Sequence, residues 1–151
     1  LDVVYNHWGP DGCYLREFSD AWFSRRYRSE WGDAPNFDGP DAGPVREFFV
    51  ANAGYWIDEF HLDGLRLDAT QSIHDASPEH VITTLTRRAR QAAGARSILV
   101  IAENEPQQVR LLRPPAAGGS IRRSGRKRCR TRRYRSSRGV DTRSNSRSLR
   151  R

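Results

Sequence analysis

A chain of 151 residues, 36% hydrophobic and 29% charged, has the length and composition of about one folded unit. Its 26 basic against 18 acidic residues give a formal net charge of +8, yet 14 of the basic residues and a single acid, Asp141, fall within 119–151. Residues 1–118 therefore carry 12 basic and 17 acidic side chains, a net of −5, which excludes a polycationic surface over that part. No apolar run approaches the ~18 residues of a membrane span, and nothing resembles a signal peptide. The two cysteines, Cys13 and Cys129, fit neither a metal site nor a disulfide framework. Cys13 reads as a loop thiol in a reducing compartment, so the expectation is a cytoplasmic protein with no metal, no cofactor and no membrane partner. The sequence says nothing about oligomeric state.

Asp2-Val3-Val4-Tyr5-Asn6-His7 opens the chain, and a long polar stretch rich in Gly, Pro and Asp follows. Tyr14, Trp22, Phe23, Tyr27 and Trp31 lie in it; long loops in compact domains are functional or disordered, and aromatics there are candidate sugar platforms. Residues 44–60 place Val45, Phe48, Phe49, Ala53, Trp56, Ile57 and Phe60 at helical spacing, with Pro44 at the start; this predicts a helix packed on a sheet. Gly64-Leu65-Arg66-Leu67-Asp68-Ala69 then reads as a buried strand closed by a carboxylate. A second helix follows, with Ser77 as N-cap, Pro78 at the first position, Glu79 in the first turn, Val81, Ile82 and Leu85 as the apolar stripe, and Gly94 just past its end. Ser97-Ile98-Leu99-Val100-Ile101-Ala102-Glu103-Asn104 is another apolar strand that ends on an acid. Strand, helix and strand within some thirty-odd residues make a βαβ unit, whose strands must be parallel.

Asp and Glu are almost never buried unless paired, so an acid closing an apolar strand calls for a reason. At the carboxyl end of a parallel strand a carboxylate faces the region where barrel enzymes do their chemistry. Adjacent strands lie ~4.8 Å apart, so two acids at matching ends could approach the ~5–5.5 Å separation of a retaining glycosidase. Asp68 would then be the nucleophile and Glu103 the general acid/base. The bland alternative is that Asp68 only pairs with Arg66 and Glu103 only caps a loop. His61, His74 and His80 share no face or ligand spacing and read as ordinary polar positions, with His74 a candidate for the substrate side.

These segments resemble the α-amylase clan of glycoside hydrolases, family 13, whose members share a (β/α)8 barrel and a retaining two-carboxylate mechanism. Residues 2–7 match the first signature region of that clan, 64–69 the second and 102–104 the third. The resemblance implies Asp68 as nucleophile, Glu103 as proton donor, and Arg66 as the cation that keeps the nucleophile ionised. It places Asn6 and His7 in the subsite at the cleavage point and makes Asp2 mainly structural. The fourth region, a His-Asp pair that supplies a third carboxylate, is absent after Glu103. Within the clan, Asn6-His7-Trp8-Gly9-Pro10-Asp11-Gly12, Glu30-Trp31-Gly32, Asn36-Phe37-Asp38-Gly39-Pro40 and Asp68-Ala69-Thr70-Gln71-Ser72-Ile73-His74-Asp75 look like the malto-oligosyltrehalose trehalohydrolases. That resemblance implies hydrolysis of the α-1,4 bond next to the terminal trehalose of a maltooligosyl-trehalose. Glycogen branching and debranching enzymes are the alternative; they share Trp31-Gly32 and the Phe60-His61-Leu62-Asp63-Gly64 lead-in but differ after Asp68. The acidic residues 1–118 suit an enzyme acting on a neutral α-1,4-glucan.

A whole (β/α)8 barrel needs roughly 250 residues, so the resemblance implies an α/β fold that is part of a TIM barrel, about strands 3 to 5, over residues 1–118. Residues 119–151 hold thirteen arginines and Lys127 with little apolar content, the composition of a disordered tail. One reading of that tail is a nucleic-acid-binding module, since arginines neutralise phosphates; it is a function of another class. The other reading is out-of-frame translation of a GC-rich gene, which yields this arginine–serine texture. The second is preferred, so no nucleic acid is expected as partner, and without the third carboxylate the chain by itself is expected to be inactive.

Overall fold

The computed structural model describes residues 1–109 and the short strand at Arg123–Gly125. Five of its elements build one layered unit: strands β1 (Asp2–Val3), β4 (Gly64–Leu67) and β5 (Leu99–Glu103), and helices α1 (Ala42–Asp58) and α2 (Val81–Ala93). Strand β6 (Arg123–Gly125) adds a further edge, and β2 (Phe23–Ser29) with β3 (Gly32–Pro35) forms a separate antiparallel hairpin whose register shifts between Phe23 and Arg28. The main sheet runs β1-β4-β5-β6, every pair parallel and neighbours in chain order. The βαβ unit inferred from spacing is therefore present twice, as β1-α1-β4 and as β4-α2-β5.

Side chains alternate across a strand, and the two faces of this sheet differ sharply. Val3, Leu65, Leu67, Val100 and Ala102 are buried against Val45, Phe49, Ala53 and Ile57 of α1 and Val81, Ile82, Leu85, Ala89 and Ala93 of α2. Asp2, Arg66 and Glu103 occupy the other face. Gly64 is the close-approach point of β4 and β5, because a Cβ there would sit 2.1 Å from the Leu99 carbonyl oxygen.

Both helices depart in detail from their predicted ends. In α1, Pro44 occupies the first turn, where its missing N–H costs nothing. Phe48 and Phe60, counted in the apolar stripe, are half exposed. α2 begins at Val81, not beside Ser77 and Pro78, and its N-cap is His80, whose ring nitrogen accepts from the Ile82 amide at 3.2 Å. Asp75 takes the task assigned to Ser77: its fully buried carboxylate accepts from the amides of Ser77 (2.8 Å) and Val81 (2.6 Å) and pairs with Arg46 of α1 (2.5 Å). Gly94 ends the helix at φ 57°, as a C-terminal glycine should.

The stretch expected as an aromatic-rich loop is also better ordered than its sequence suggests, since it contains the β2–β3 hairpin. Of the arginine-rich segment expected to be disordered from 119 onward, the structure describes only Arg123–Gly125, and these three residues form a strand paired with Ile101–Glu103. The remainder of that expectation, with Cys129, lies outside the described residues. Among the described residues no helix is long and apolar enough to cross a membrane, and no group of three or more His, Cys, Asp or Glu is placed to hold a metal.

Candidate active site

The register of β4 on β5 pairs Leu67 with Ala102, so Asp68 and Glu103 are the next residues at the same, carboxyl ends of adjacent parallel strands. Arg66 lies two residues before Asp68, in register with Asp2 of β1 and Ile101 of β5. Its guanidinium gathers three acids. Nη1 is 2.5 Å from both carboxylate oxygens of Asp2 and 3.3 Å from Oδ1 of Asp68, and Nη2 is 2.7 Å from Oε2 of Glu103. The Asp2 hydrogen bond, opposed by desolvation and aided by the charges of Glu103 and Asp68, holds the Arg66 pKa above its ordinary value. One cation thus binds three strands through side chains from each.

Asp68 is positioned from both of its own ends. Its amide donates to the Val3 carbonyl at 3.0 Å, continuing the β1–β4 ladder. Asn6, fully buried beyond the end of β1, donates through Nδ2 to the Asp68 carbonyl (2.9 Å) and to Oδ2 (3.1 Å). The His7 ring nitrogen Nδ1 bonds to Oδ1 of Asn6, so His7 joins the cluster through its neighbour. All six residues singled out from sequence (Asp2, Asn6, His7, Arg66, Asp68 and Glu103) therefore form one connected set.

Three further residues complete it without having been singled out. Ala69 turns in the left-handed region at φ 39°, uncommon for a residue with a Cβ, and its amide donates to Oε2 of Glu103 at 3.2 Å. Thr70 Oγ1 donates to the Glu103 carbonyl at 2.7 Å and accepts from the buried amide of Asn104 at 3.0 Å. These bonds lock the two strand ends to each other. The available signal was a Thr and an Asn directly after apolar strands, where a polar side chain must find a partner. The bland alternative for Asp68 and Glu103 is also visible, since both do pair with Arg66.

Residues 8–41 pack beside this cluster. Trp8 packs on Trp22, Phe23, Phe48 and Phe49, with ring centroids 5.1–6.4 Å apart, and Tyr5 meets Phe49 edge-on at 5.2 Å. Tyr27 stacks on His74 at 4.8 Å, which explains His74 as a packing partner of the hairpin. Buried Asn36 ties the excursion shut: Nδ2 donates to the carbonyls of Ala21 (3.0 Å) and Pro40 (2.8 Å), and Oδ1 accepts from the Gly39 amide (2.9 Å).

With the site in view, comparison with known proteins adds a family context. No family model matches the chain. It is 40% identical over 114 residues to the malto-oligosyltrehalose trehalohydrolase of Saccharolobus solfataricus, covering 76% of this chain and 19% of that protein. It is 41% identical over 120 residues to the enzyme of the same name from Arthrobacter ramosus, covering 78% and 21%. A 1,4-alpha-glucan branching enzyme, GlgB of a Shewanella strain, is 40% identical over 77 residues, covering 48% of this chain and 10% of that one. Among solved structures, a protein from Salmonella typhimurium described as an alpha amylase matches with a TM-score of 0.68 and 35% identity, over 74% of this chain and 18% of that chain. The chain spans about a fifth of the length of the trehalohydrolases it matches.

Proposed function

We propose, on the premise that this chain is a homologue of the malto-oligosyltrehalose trehalohydrolases within the α-amylase family of glycoside hydrolases, that it supplies the central catalytic segment of such an enzyme. In the whole protein the segment would contribute strands 3 to 5 of a (β/α)8 barrel. The parallel sheet in chain order, with the helices of the described residues on one face, supports this placement. The opposite face, which carries Asp2, Arg66 and Glu103, would then line the barrel interior.

The observation that carries the proposal is the pairing of Asp68 and Glu103 at the ends of neighbouring strands under a shared Arg66. In a retaining mechanism Asp68 attacks the anomeric carbon and forms a glycosyl-enzyme ester while Glu103 delivers a proton to the leaving oxygen. Glu103 then takes a proton from the water that hydrolyses the ester. Asn6 and His7 would hold the ring at the bond cleaved, and Asn6 would hold the Asp68 side chain. The substrate would be a maltooligosyl-trehalose, cut at the α-1,4 bond next to its trehalose end. Transfer to an acceptor glucan, as the name of the branching enzyme implies for that relative, is the second reading; its match is shorter.

The test places residues 1–118 in the Arthrobacter ramosus enzyme in exchange for the matching segment and follows trehalose release from maltotriosyl-trehalose. Asp68→Asn should abolish turnover, and Glu103→Gln should lower kcat by ~10²–10⁴. A chimera indifferent to either substitution would refute the site. The 151-residue chain alone should release no trehalose, because ~1 Å of misplacement already costs ~100-fold.

A further inference from the structure

We propose that Thr70 is the positioning residue of the proton donor: its hydroxyl, aimed by Asn104, fixes where the Glu103 carboxyl stands relative to Asp68. This rests on the retaining reading above and deepens it. Delivery of the proton to the leaving oxygen, and not attack by Asp68, then depends on a hydroxyl that grips Glu103 by its main chain.

The two acids are held by one scheme, applied twice across the sheet. Asn6, just past β1, donates to both the carbonyl and Oδ2 of Asp68, at 2.9 and 3.1 Å. The turn just past β4 holds Glu103 in the same two places. The Ala69 amide donates to Oε2 at 3.2 Å, and Thr70 Oγ1 donates to the carbonyl at 2.7 Å. The β4 end therefore carries both the nucleophile and the grip on the donor. Two attachment points fix direction as well as place. With the main-chain bond gone, Glu103 would keep its contacts to Ala69 and Arg66 and still be able to swing about them.

Thr70 has a single hydroxyl proton, and its neighbours commit it. A hydroxyl donates once and accepts through its lone pairs, whereas an amide NH2 only donates. Asn104 Nδ2 donates to Oγ1 at 3.0 Å, so the Thr70 proton is left for the Glu103 carbonyl. Asn104 Oδ1 accepts from the Gln108 amide at 2.7 Å, which sets the orientation of the side chain. Thr70 is 3% exposed and Asn104 fully buried, so a lost partner is not replaced by bulk water. The turn itself is pinned: the Ser72 amide donates to the Ala69 carbonyl at 2.8 Å, and Ile73 is buried in the core. Ala69 stands at φ 39°, and strain of that kind persists only where the surroundings over-determine it. The bonds to Glu103 are part of those surroundings.

The test is made in the chimera with two substrates. Cleavage of maltotriosyl-trehalose needs Glu103 to protonate the departing oxygen as its bond to the anomeric carbon breaks and Asp68 forms the ester. α-Maltotriosyl fluoride forms the same ester by expelling fluoride, which leaves without a proton. Glu103→Gln should therefore cut kcat/KM for the first substrate and spare the second. Thr70→Val, of the same shape without the hydroxyl, should lower kcat/KM for maltotriosyl-trehalose ~10–100-fold, a part of the ~10²–10⁴ that an acid supplies, and leave the fluoride value unchanged. Thr70→Ser should retain most of the activity. Thr70→Cys lacks the methyl as Ser does but is a poor donor, and should behave as Thr70→Val; the Ser and Cys pair decides the matter if the valine variant does not fold. Equal loss on both substrates, or no loss on either, overturns the role of Thr70. If Glu103→Gln separates the substrates and Thr70→Cys does not, the retaining reading stands and the positioning role falls. If Glu103→Gln loses both alike, the acid assignment fails and takes the role of Thr70 with it. In the 151-residue chain, Thr70→Val should move the Glu103 carboxyl carbon resonance and Thr70→Ser restore it; an unmoved resonance overturns the grip even where the chimera is inactive.

Discussion

The strand ends and the 8–41 excursion hold their side chains still by different physics. At the strand ends, Asp68 and Glu103 sit on a parallel ladder whose covered face is almost fully buried, and one arginine gathers the charges left on the other face. In the excursion the hairpin is buried only at its Phe23–Pro35 end. Its frame is aromatic packing around Trp8 and half-exposed ion pairs such as Arg16–Asp33. The lesson is one of stiffness: side chains at the strand ends ride on the buried main-chain core, and those of the excursion ride on a softer frame.

Each region has a glycine at its tightest point, which makes the comparison breakable. Gly64→Ala would drive a Cβ toward the Leu99 carbonyl inside the sheet, where neither strand can retreat. The expected loss is ~3 kcal/mol of unfolding free energy, read by urea denaturation, with the Arg66 cluster disrupted as well. A wild-type midpoint in this variant would mean that the sheet does not define the site.

The second prediction lies at the joint of the main unit. Burial alone would raise the pKa of Asp75, but hydrogen bonds from Ser77, Arg46 and the Val81 amide outweigh it and hold it below the usual carboxylate range. Asp75→Ala should cost ~2 kcal/mol, discounted from a fully buried pair because Arg46 is partly exposed. The sign with pH follows. A depressed pKa contributes stability that is present above the unfolded value of ~3.9 and disappears as pH falls through the lower folded value. Wild-type and variant curves should therefore converge in acid below about pH 4, and parallel curves there would exclude Asp75 as the source.

Gly32→Ala comes third. It strains a positive φ and presses on the Trp8 carbonyl, yet the excursion can shift outward, so ~1 kcal/mol is expected. The sharper readout is local: the His7 and Trp31 ring resonances should move while those of Asn6 and Arg66 stay. Equal movement of both sets would show that the two regions are mechanically one.

The same contrast explains what was legible in the sequence. Gly64–Leu67 and Leu99–Ala102 announce themselves as continuous apolar runs, and the acid that closes each is chemically loud, so the sheet, its direction and the Asp68–Glu103 pair could be read; Asp2, Asn6, His7 and Arg66 came from the resemblance to the α-amylase clan. Residues 23–29, Phe-Ser-Arg-Arg-Tyr-Arg-Ser, have no alternation of apolar and polar positions to mark a strand; the hairpin exists because of tertiary packing on Trp8 and His74. The α2 start was misplaced because Ser77-Pro78-Glu79 carries every local helix signal. Asp75, buried through its contact with α1 29 residues earlier in the chain, instead collects the Ser77 and Val81 amides and delays the first turn to Val81. Thr70 and Asn104 are marked only as polar residues after apolar strands; their partners, like that of the Ala69 amide, come from strand register, which no local pattern encodes.

The smallest effect belongs to Glu79, four residues past Asp75 and the proper control for it. Its carboxylate receives a two-pronged guanidinium from Arg87 at 2.6 Å on each oxygen, better geometry than the Arg46–Asp75 contact. The Arg87 hydrogen bond, opposed by desolvation and aided by the Arg87 charge, lowers its pKa, so its contribution too is present above the ordinary glutamate range and lost in acid. Yet both side chains are about half exposed, and water screens the pair in the folded state nearly as well as in the unfolded one. Glu79→Gln should therefore cost no more than ~0.5 kcal/mol, and that loss should fade as salt is raised toward ~1 M, where the screening length falls to ~3 Å. Asp75→Ala should keep most of its cost under the same salt. If Glu79→Gln proved as damaging as Asp75→Ala, burial would not be what separates the two acids, and the contrast between a stiff core and a soft surface would lose its physical basis.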